Sequence, residues 1–236
     1  MTLLAAFSKG GGASTSDANT WTATQTFDTI DVTGGLTFQL LGNQFFEETF
    51  GGDSLDTTHK WALVNTAGSG SQTFLNAINS GCQITTGGST NNTTNIISGE
   101  TPEHFDMRLC TWYCILKYDN SDNDTWCGIS QASYNSKSVW VLLSTDNTYV
   151  ALGSTDTSTS DTESDITLGT DFVVCKVISN GTNLRLFIQV AGAWVLKVTK
   201  TSDLPSATGG SPFFEVQTLG GSTAISQILY VRAEND

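Results

Sequence analysis

Carboxylates are the side chains of this 236-residue chain that could do acid–base chemistry, but their spacing does not pair them. Hydrolysis of a glycosidic bond needs two carboxylates that face each other across a cleft. Glu47 and Glu48 are adjacent, so they point to opposite faces of the strand predicted there. Glu163 and Asp165 lie in a Ser/Thr-rich segment that is typical of a loop. The sequence therefore predicts no catalytic residue, and we expect that the chain is not an enzyme.

Nucleophilic, nucleotide-binding and zinc-binding arrangements are not predicted either. The two histidines, His59 and His104, have no partner motif for a Ser/His/Asp or Cys/His site, and no Gly-rich loop follows a strand and opens a helix. The cysteines lack the paired CxxC spacing of a structural zinc site. We expect them to be small buried apolar residues, with disulfides as the alternative. They are Cys82, Cys110, Cys114, Cys127 and Cys175.

One oxygen-rich segment could bind Ca²⁺. Asp119, Asp122 and Asp124 would supply carboxylate ligands. The segment lacks the Gly and the final Glu of an EF-hand loop, and acidic turns are also common where an Asx side chain caps the turn. A structural calcium ion is therefore the one cofactor that we consider.

Two aromatic residues could contact a glycan. Trp126 and Tyr134 each lie near an Asp or Asn, which could bind the hydroxyls of a sugar stacked on the ring. The alternative is that these rings pack in the interior. Three other tryptophans are expected to fill the core: Trp112, Trp140 and Trp194.

The elements that would position these residues are predicted to be short strands. Phe172–Val198 is predicted to be three antiparallel strands, joined by the turn Asn180-Gly181 and by a small loop at 191–193. Phe105–Tyr118 is the longest predicted strand, and its alternation predicts a central strand covered on both faces. A loop is predicted at 154–165. About twelve strands separated by Gly, Asn, Asp and Ser turns predict an all-β, antiparallel two-sheet sandwich.

The sandwich is predicted to span residues 44–236, preceded by two short segments. Residues 1–19 are small, polar and Gly-rich, so they are either a flexible tail or an arm that binds another protein. Such an arm would use Leu3, Leu4 and Phe7 as its apolar anchors.

Residues 20–43 are predicted to form a small β-structured neck. Ile30 and Val32 alternate with polar residues before a Gly-Gly turn. So small a segment cannot bury its own apolar face. It must pack on the sandwich, as an ordinary edge hairpin would, or be completed by copies of itself.

The charge of the chain disfavours two classes of partner. Ten basic and 23 acidic residues give a net charge of −13, which repels nucleic acid and anionic membranes. No stretch approaches the roughly 18 apolar residues of a membrane span. The first residues lack a basic region and a long apolar run, so we expect no export signal.

The segment NTWTATQTFDTIDVTGG resembles repeats in the shafts and necks of bacteriophage tail-fibre and head-fibre proteins. In those proteins, segments of the type TWTGTQTF…I.VTGG wind three chains into a β-structured stalk. The resemblance implies a homotrimer whose threefold axis is packed by Trp21, Phe27, Ile30 and Val32.

Residues 45–236 resemble the concanavalin-A-like jelly roll of legume lectins and laminin-G domains. The resemblance rests on EETF near the start, VVCKVISNGTNLRLFIQVAGAWV in the middle, and the closing strand AISQILYVRA. In that fold the closing strand pairs with the N-terminal edge. Some members of the group are glycosidases, but their Glu-x-Asp-x-x-Glu arrangement on one strand is absent from this sequence.

Together the two resemblances imply a structural phage protein of fibre or decoration type, located at the virion surface and assembled in the host cytoplasm. The arm would bind capsid or tail proteins, and the sandwich would stabilise the surface or bind host glycans. The alternatives are a free lectin or carbohydrate-binding module and, after those, a glycoside hydrolase.

Overall fold

The structure is a computed structural model, and the part of the chain that it describes consists entirely of strands, turns and connecting segments. These residues belong to one compact unit, 44–236. No helix within them is long and apolar enough to cross a membrane. The predicted arm and neck lie outside the described residues. The described ranges are 45–50, 61–65, 70–75, 81–88, 93–98, 105–118, 123–131, 136–144, 149–169, 171–206, 209–220 and 223–235.

Within the described residues, fifteen antiparallel strands form two sheets. The eight-stranded sheet has the order β13-β12-β11-β6-β15-β4-β3, with β1 also paired to β15. Its strands are β1 (Phe45–Glu48), β3 (Ser71–Phe74), β4 (Cys82–Thr85), β6 (Cys110–Tyr118), β11 (Val173–Ser179), β12 (Leu184–Val190), β13 (Ala193–Lys200) and β15 (Ile225–Asn235).

The seven-stranded sheet has the order β10-β9-β8-β7-β14-β5-β2. Its strands are β2 (Trp61–Asn65), β5 (Thr93–Ser98), β7 (Asn123–Ser130), β8 (Ser138–Ser144), β9 (Tyr149–Thr155), β10 (Thr159–Thr167) and β14 (Ser211–Thr218). The prediction of an all-β, antiparallel two-sheet sandwich is confirmed.

Alternation along the strands places the core between the sheets. Trp112, Cys114 and Leu116 of β6 point inward from one sheet, and Phe214 and Val216 of β14 point inward from the other. Successive side chains of a strand point to opposite faces, so every second residue of these strands lies on an outer face. The outer faces are where a ligand could bind.

All five cysteines are buried free thiols, as expected of small apolar core residues. Cys114 of β6 is directly opposite Cys175 of β11, and Cys127 of β7 approaches them from the other sheet. Burial is the main cause that raises the pKa of the Cys114 thiol well above its usual value. The Cys114 thiol is therefore a neutral core group at physiological pH.

The chain termini of the sandwich close on each other. β1 pairs with β15 in the register Phe45–Glu234 to Glu48–Val231. This pairing confirms that the first strand of the sandwich lies beside the last.

The two turns of the β11–β13 meander differ from the prediction. In the first turn, Gly181 has positive φ but Asn180 does not. The Asn180 side chain instead accepts hydrogen bonds from the backbone N–H groups of Thr182 and Asn183. The two-residue turn with positive φ at both positions is Ala191-Gly192, at 48° and 83°.

Two strand predictions are corrected. The segment predicted as a loop at 154–165 contains the end of β9 and most of β10, because Thr and Ser suit an exposed edge strand. β6 is central, as predicted, but it is not covered on both faces. Tyr113 and Ile115 on its outer side are only half-buried.

Candidate functional site

The outer face of the eight-stranded sheet carries a band of aromatic and cationic side chains. Four of these side chains lie in one row across adjacent strands. Lys176 on β11 is opposite Phe187 on β12 and, on its other side, opposite Tyr113 on β6. Tyr113 is in turn opposite Arg232 on β15. Trp194 on β13 completes the group from the edge of the sheet. We call these five residues the aromatic–cation band.

Ring and cation contacts hold the band together. The Lys176 ammonium lies 4.8 Å from the centre of the Phe187 ring and 5.1 Å from that of Trp194. Trp194 meets Tyr113 edge-on, with ring centroids 6.1 Å apart at an interplanar angle of 62°. The Arg232 guanidinium lies 5.7 Å from the centre of the Tyr113 ring. Such contacts order side chains that would otherwise sample several rotamers.

The band remains open to solvent at its β13 end. Trp194 is 39% exposed and Leu196 is 50% exposed. β13 is the edge of the sheet, and among the described residues no further strand of that sheet pairs with it. This exposed apolar surface makes the β13 end of the band the candidate binding surface on this sheet.

Polar groups flank the rings. Gln189 is directly opposite Trp194 and is exposed. Glu47 accepts a 2.7 Å hydrogen bond from the Tyr230 hydroxyl at the other end of the band. Burial, followed by this bond and the Glu47 charge, raises the pKa of Tyr230 to about 12. The phenol is therefore a neutral donor at physiological pH.

The outer face of the seven-stranded sheet is different, because the tryptophans described there are buried. Trp126, Trp140 and Phe213 form an apolar cluster there with Leu142 and Ala151. Trp126 is 4% exposed, so it presents little surface to a ligand.

Two carboxylates lie on this second face. Glu215 of β14 is opposite Trp126 of β7, and Asp124 lies two residues before Trp126 on the same side of β7. The two acids are thus diagonal neighbours on adjacent strands, about 7 Å apart. Glu215 is 4% exposed and Asp124 is half-buried.

The structure places few of the residues singled out from the sequence. Asp124 and Trp126 are brought together on β7. Among the described residues, no group of three or more His, Cys, Asp or Glu side chains is arranged for a metal ion. Calcium binding stays a prediction. The other predicted site residues lie outside the described residues: Asp119, Asp122, Tyr134, Leu3, Leu4, Phe7, Trp21, Phe27, Ile30 and Val32.

The most exposed aromatic residue of the band was missed from the sequence. Trp112 and Trp140 are buried, as predicted, but the prediction that Trp194 fills the core is wrong. Trp194 lies on an edge strand. A β-bulge between Trp194 and Val198 puts the two side chains on opposite faces of the sheet, so Val198 is buried and Trp194 is exposed. Glu215 was missed as well, although its position between the buried Phe214 and Val216 indicates the outer face.

Comparisons with known proteins identify the fold. No family model matches the sequence, and no curated protein matches it. Among solved structures, the β-glucanase of Bacillus licheniformis matches 84% of this chain and 100% of its own, with a TM-score of 0.58 and 11% identity. Rv0315 of Mycobacterium tuberculosis, described as an immunostimulatory antigen and pseudo β-1,3-glucanase, matches 81% of this chain and 98% of its own, at TM-score 0.55 and 10% identity.

A third match is a prokaryotic β-1,3-1,4-glucanase from a mouse hindgut metagenome. It covers 81% of this chain and 98% of its own, with a TM-score of 0.56 and 11% identity. At such identities the likeness concerns the fold alone. The predicted concanavalin-A-like jelly roll is confirmed.

These comparisons correct two predictions. The identification as a phage fibre or decoration protein is wrong, because the chains that share the fold are glucanases and related glycosyl hydrolase-type proteins. The prediction that the chain is not an enzyme is also corrected, since the fold is one that β-glucanases use. The predicted homotrimer remains untested.

Proposed function

We propose that this protein binds a glycan, and that the aromatic–cation band is the binding surface. The observation that carries the proposal is the ordered, exposed ring of Trp194 beside Tyr113 and Phe187. Support also comes from the fold, which is that of proteins described as β-glucanases.

The chemistry of the band suits a sugar. A pyranose ring has an apolar face that packs against an aromatic ring, and hydroxyls at its edge that need hydrogen-bond partners. Trp194 supplies the ring, and Gln189, opposite it, supplies an amide that can both donate and accept. The contacts that already order Trp194 reduce the entropy lost on binding.

The test is equilibrium binding to a glycan array, followed by titration calorimetry with the glycans that bind. We expect Trp194→Ala to weaken binding at least about tenfold, because central aromatic contacts dominate such sites. Leu109→Ala is the matched control, since Leu109 is a similarly exposed apolar residue outside the band. Equal affinity of wild type and Trp194→Ala would show that the band is not the site.

Glycoside hydrolysis is a second candidate function, and a different observation favours it. Asp124 and Glu215 are diagonal neighbours on one face, on either side of the buried Trp126. Inverting glycosidases hold their two carboxyls about 6.5–9.5 Å apart, and retaining enzymes about 5–5.5 Å apart. A pair at about 7 Å between diagonal positions could reach either geometry through its side chains.

Assays of β-1,3- and β-1,3-1,4-glucans test this candidate. Asp124→Asn and Glu215→Gln should each lower kcat by about 10²-fold or more, since each removes an acid or base group. Glu163→Gln is the control, because Glu163 is an exposed carboxylate on the edge strand β10. Turnover that survives both substitutions would exclude this pair, and thermal unfolding of each variant separates loss of chemistry from loss of fold.

A further inference from the structure

We infer that the aromatic–cation band selects glycans that carry an acidic sugar, one with a carboxylate. The inference rests on the proposed function, because it names the ligand class of the same surface. It is carried by the distribution of charge, which is independent of the aromatic contacts.

Basic residues are concentrated on this face of an acidic protein. The chain has 10 basic residues against 23 acidic ones. Four of the ten basic side chains lie on the outer face of the eight-stranded sheet. The carboxylates on the same face of its described strands are two, Glu47 and Glu234. The four are Lys117, Lys176, Arg185 and Arg232.

Two of these cations are placed to meet a ligand. Among the described residues, no carboxylate lies within salt-bridge distance of Lys176 or Arg185. Lys176 is opposite Phe187, and Arg185 lies two residues before Phe187 on the same side of β12. The two residues are therefore diagonal neighbours, with backbone positions about 7 Å apart. A sugar packed on Trp194 would bring a ring carboxylate within reach of Lys176.

Arg232 marks the other end of the positive surface. Its guanidinium donates a 2.7 Å hydrogen bond to Glu234, which is two residues along β15 on the same face. That carboxylate already neutralises Arg232, so Lys176 and Arg185 remain the pair that a ligand carboxylate would bind.

An isolated carboxylate fits this surface better than a dense polyanion. The net charge of −13 disfavours a phosphate backbone, because so extended a polyanion also comes close to acidic groups outside the band. Charges separated by more than about 8 Å are largely screened at physiological ionic strength, so a single carboxylate in contact with Lys176 responds mainly to the local cations. Nucleic acid is therefore the disfavoured ligand.

The experiment compares a tetrasaccharide that contains one glucuronate with its neutral glucose counterpart. Titration calorimetry of the full chain at 0.15 M and 0.5 M NaCl should show roughly 3- to 10-fold tighter binding of the acidic sugar at the lower salt. The double variant Lys176→Gln/Arg185→Gln should bring the ratio of the two affinities close to one. Lys137→Gln, a cation paired with Asp156 elsewhere, should keep the ratio of the wild type.

Each other outcome overturns the inference. Equal affinity for the acidic and neutral sugars would overturn it while leaving glycan binding intact. Binding of neither sugar, together with an empty glycan array, would overturn the proposed function as well. Tighter binding of a single-stranded oligonucleotide than of the acidic sugar would identify the surface as a nucleic-acid site.

Discussion

The ammonium of Lys176 lies within about 5 Å of the ring centres of both Phe187 and Trp194, at 4.8 Å and 5.1 Å. These three residues come from three adjacent strands, β11, β12 and β13. A cation in contact with two rings favours this arrangement of the rings, by about 0.5–1 kcal/mol for each exposed contact. The edge of the eight-stranded sheet is thereby a preformed surface, which is what ligand binding by an exposed aromatic residue requires.

Gly153→Ala should destabilise the protein by about 1–3 kcal/mol, the usual cost of overpacking. A Cβ at Gly153 would lie 2.0 Å from the Trp140 ring, which is buried against it on the neighbouring strand. Urea unfolding measures the difference. Gly169→Ala is the control, because nothing lies within 4 Å of its added Cβ. Equal stability of the two variants would contradict this packing of Trp140.

Ala191→Gly should stabilise the protein by about 0.5–1 kcal/mol. Ala191 has a φ of 48°, a left-handed conformation that costs a residue with a Cβ about 1–2 kcal/mol. Glycine removes this strain, but the larger conformational entropy that glycine loses on folding offsets part of the stabilisation. Thermal and urea unfolding provide the measurement. Ala193→Gly, at the start of β13, should have the opposite sign, and a loss of stability in both variants would rule out the two-residue turn described here.

Stability should fall between about pH 10 and pH 12 through Tyr230. Its pKa in the folded protein is about 12, above the ordinary value of 10, so the folded state holds the phenolic proton more tightly than the unfolded state. The stabilisation is complete below pH 10 and is lost as the pH rises through the folded pKa.

Glu47→Gln and Tyr230→Phe test the origin of that pH dependence. Ultraviolet titration should show a lower pKa for Tyr230 in Glu47→Gln, because the hydrogen bond to a charged carboxylate is removed. Burial still raises the pKa in that variant, so the shift should be partial. Tyr230→Phe should flatten the stability profile in this range, and an unchanged profile would assign the alkaline loss of stability to other groups.

Most of the fold could be predicted from the sequence, since alternation and turn residues report on local structure. The segment Phe172–Val198 was predicted to be three antiparallel strands and forms β11, β12 and β13, because apolar runs alternate there with two short turns. β10 was not predicted, because TSDTESDIT has no apolar alternation to indicate a strand. Only Ser160, Ser164 and Ile166 of this edge strand are half-buried, so it needs little apolar alternation, and its pairing with β9 holds it in the sheet.

The candidate surface could not be predicted because it depends on which strands are neighbours. Lys176, Tyr113 and Arg232 are far apart in sequence and meet only through the order β11-β6-β15. Alternation along β6 predicted that both of its faces are covered, whereas the structure leaves Tyr113 on the outer face only half-buried. The same limit applies to Asp124 and Glu215, which the pairing of β7 with β14 brings together.

The most direct test of glycan binding at the band is a heteronuclear NMR titration that follows the indole N–H signals of the six tryptophans. We predict that a bound glycan shifts the Trp194 indole signal in a saturable manner, while the buried Trp112, Trp126 and Trp140 signals stay in place. Shifts at Trp126 and Trp140 with an unmoved Trp194 signal would contradict the account, because they would place the glycan on the seven-stranded sheet instead.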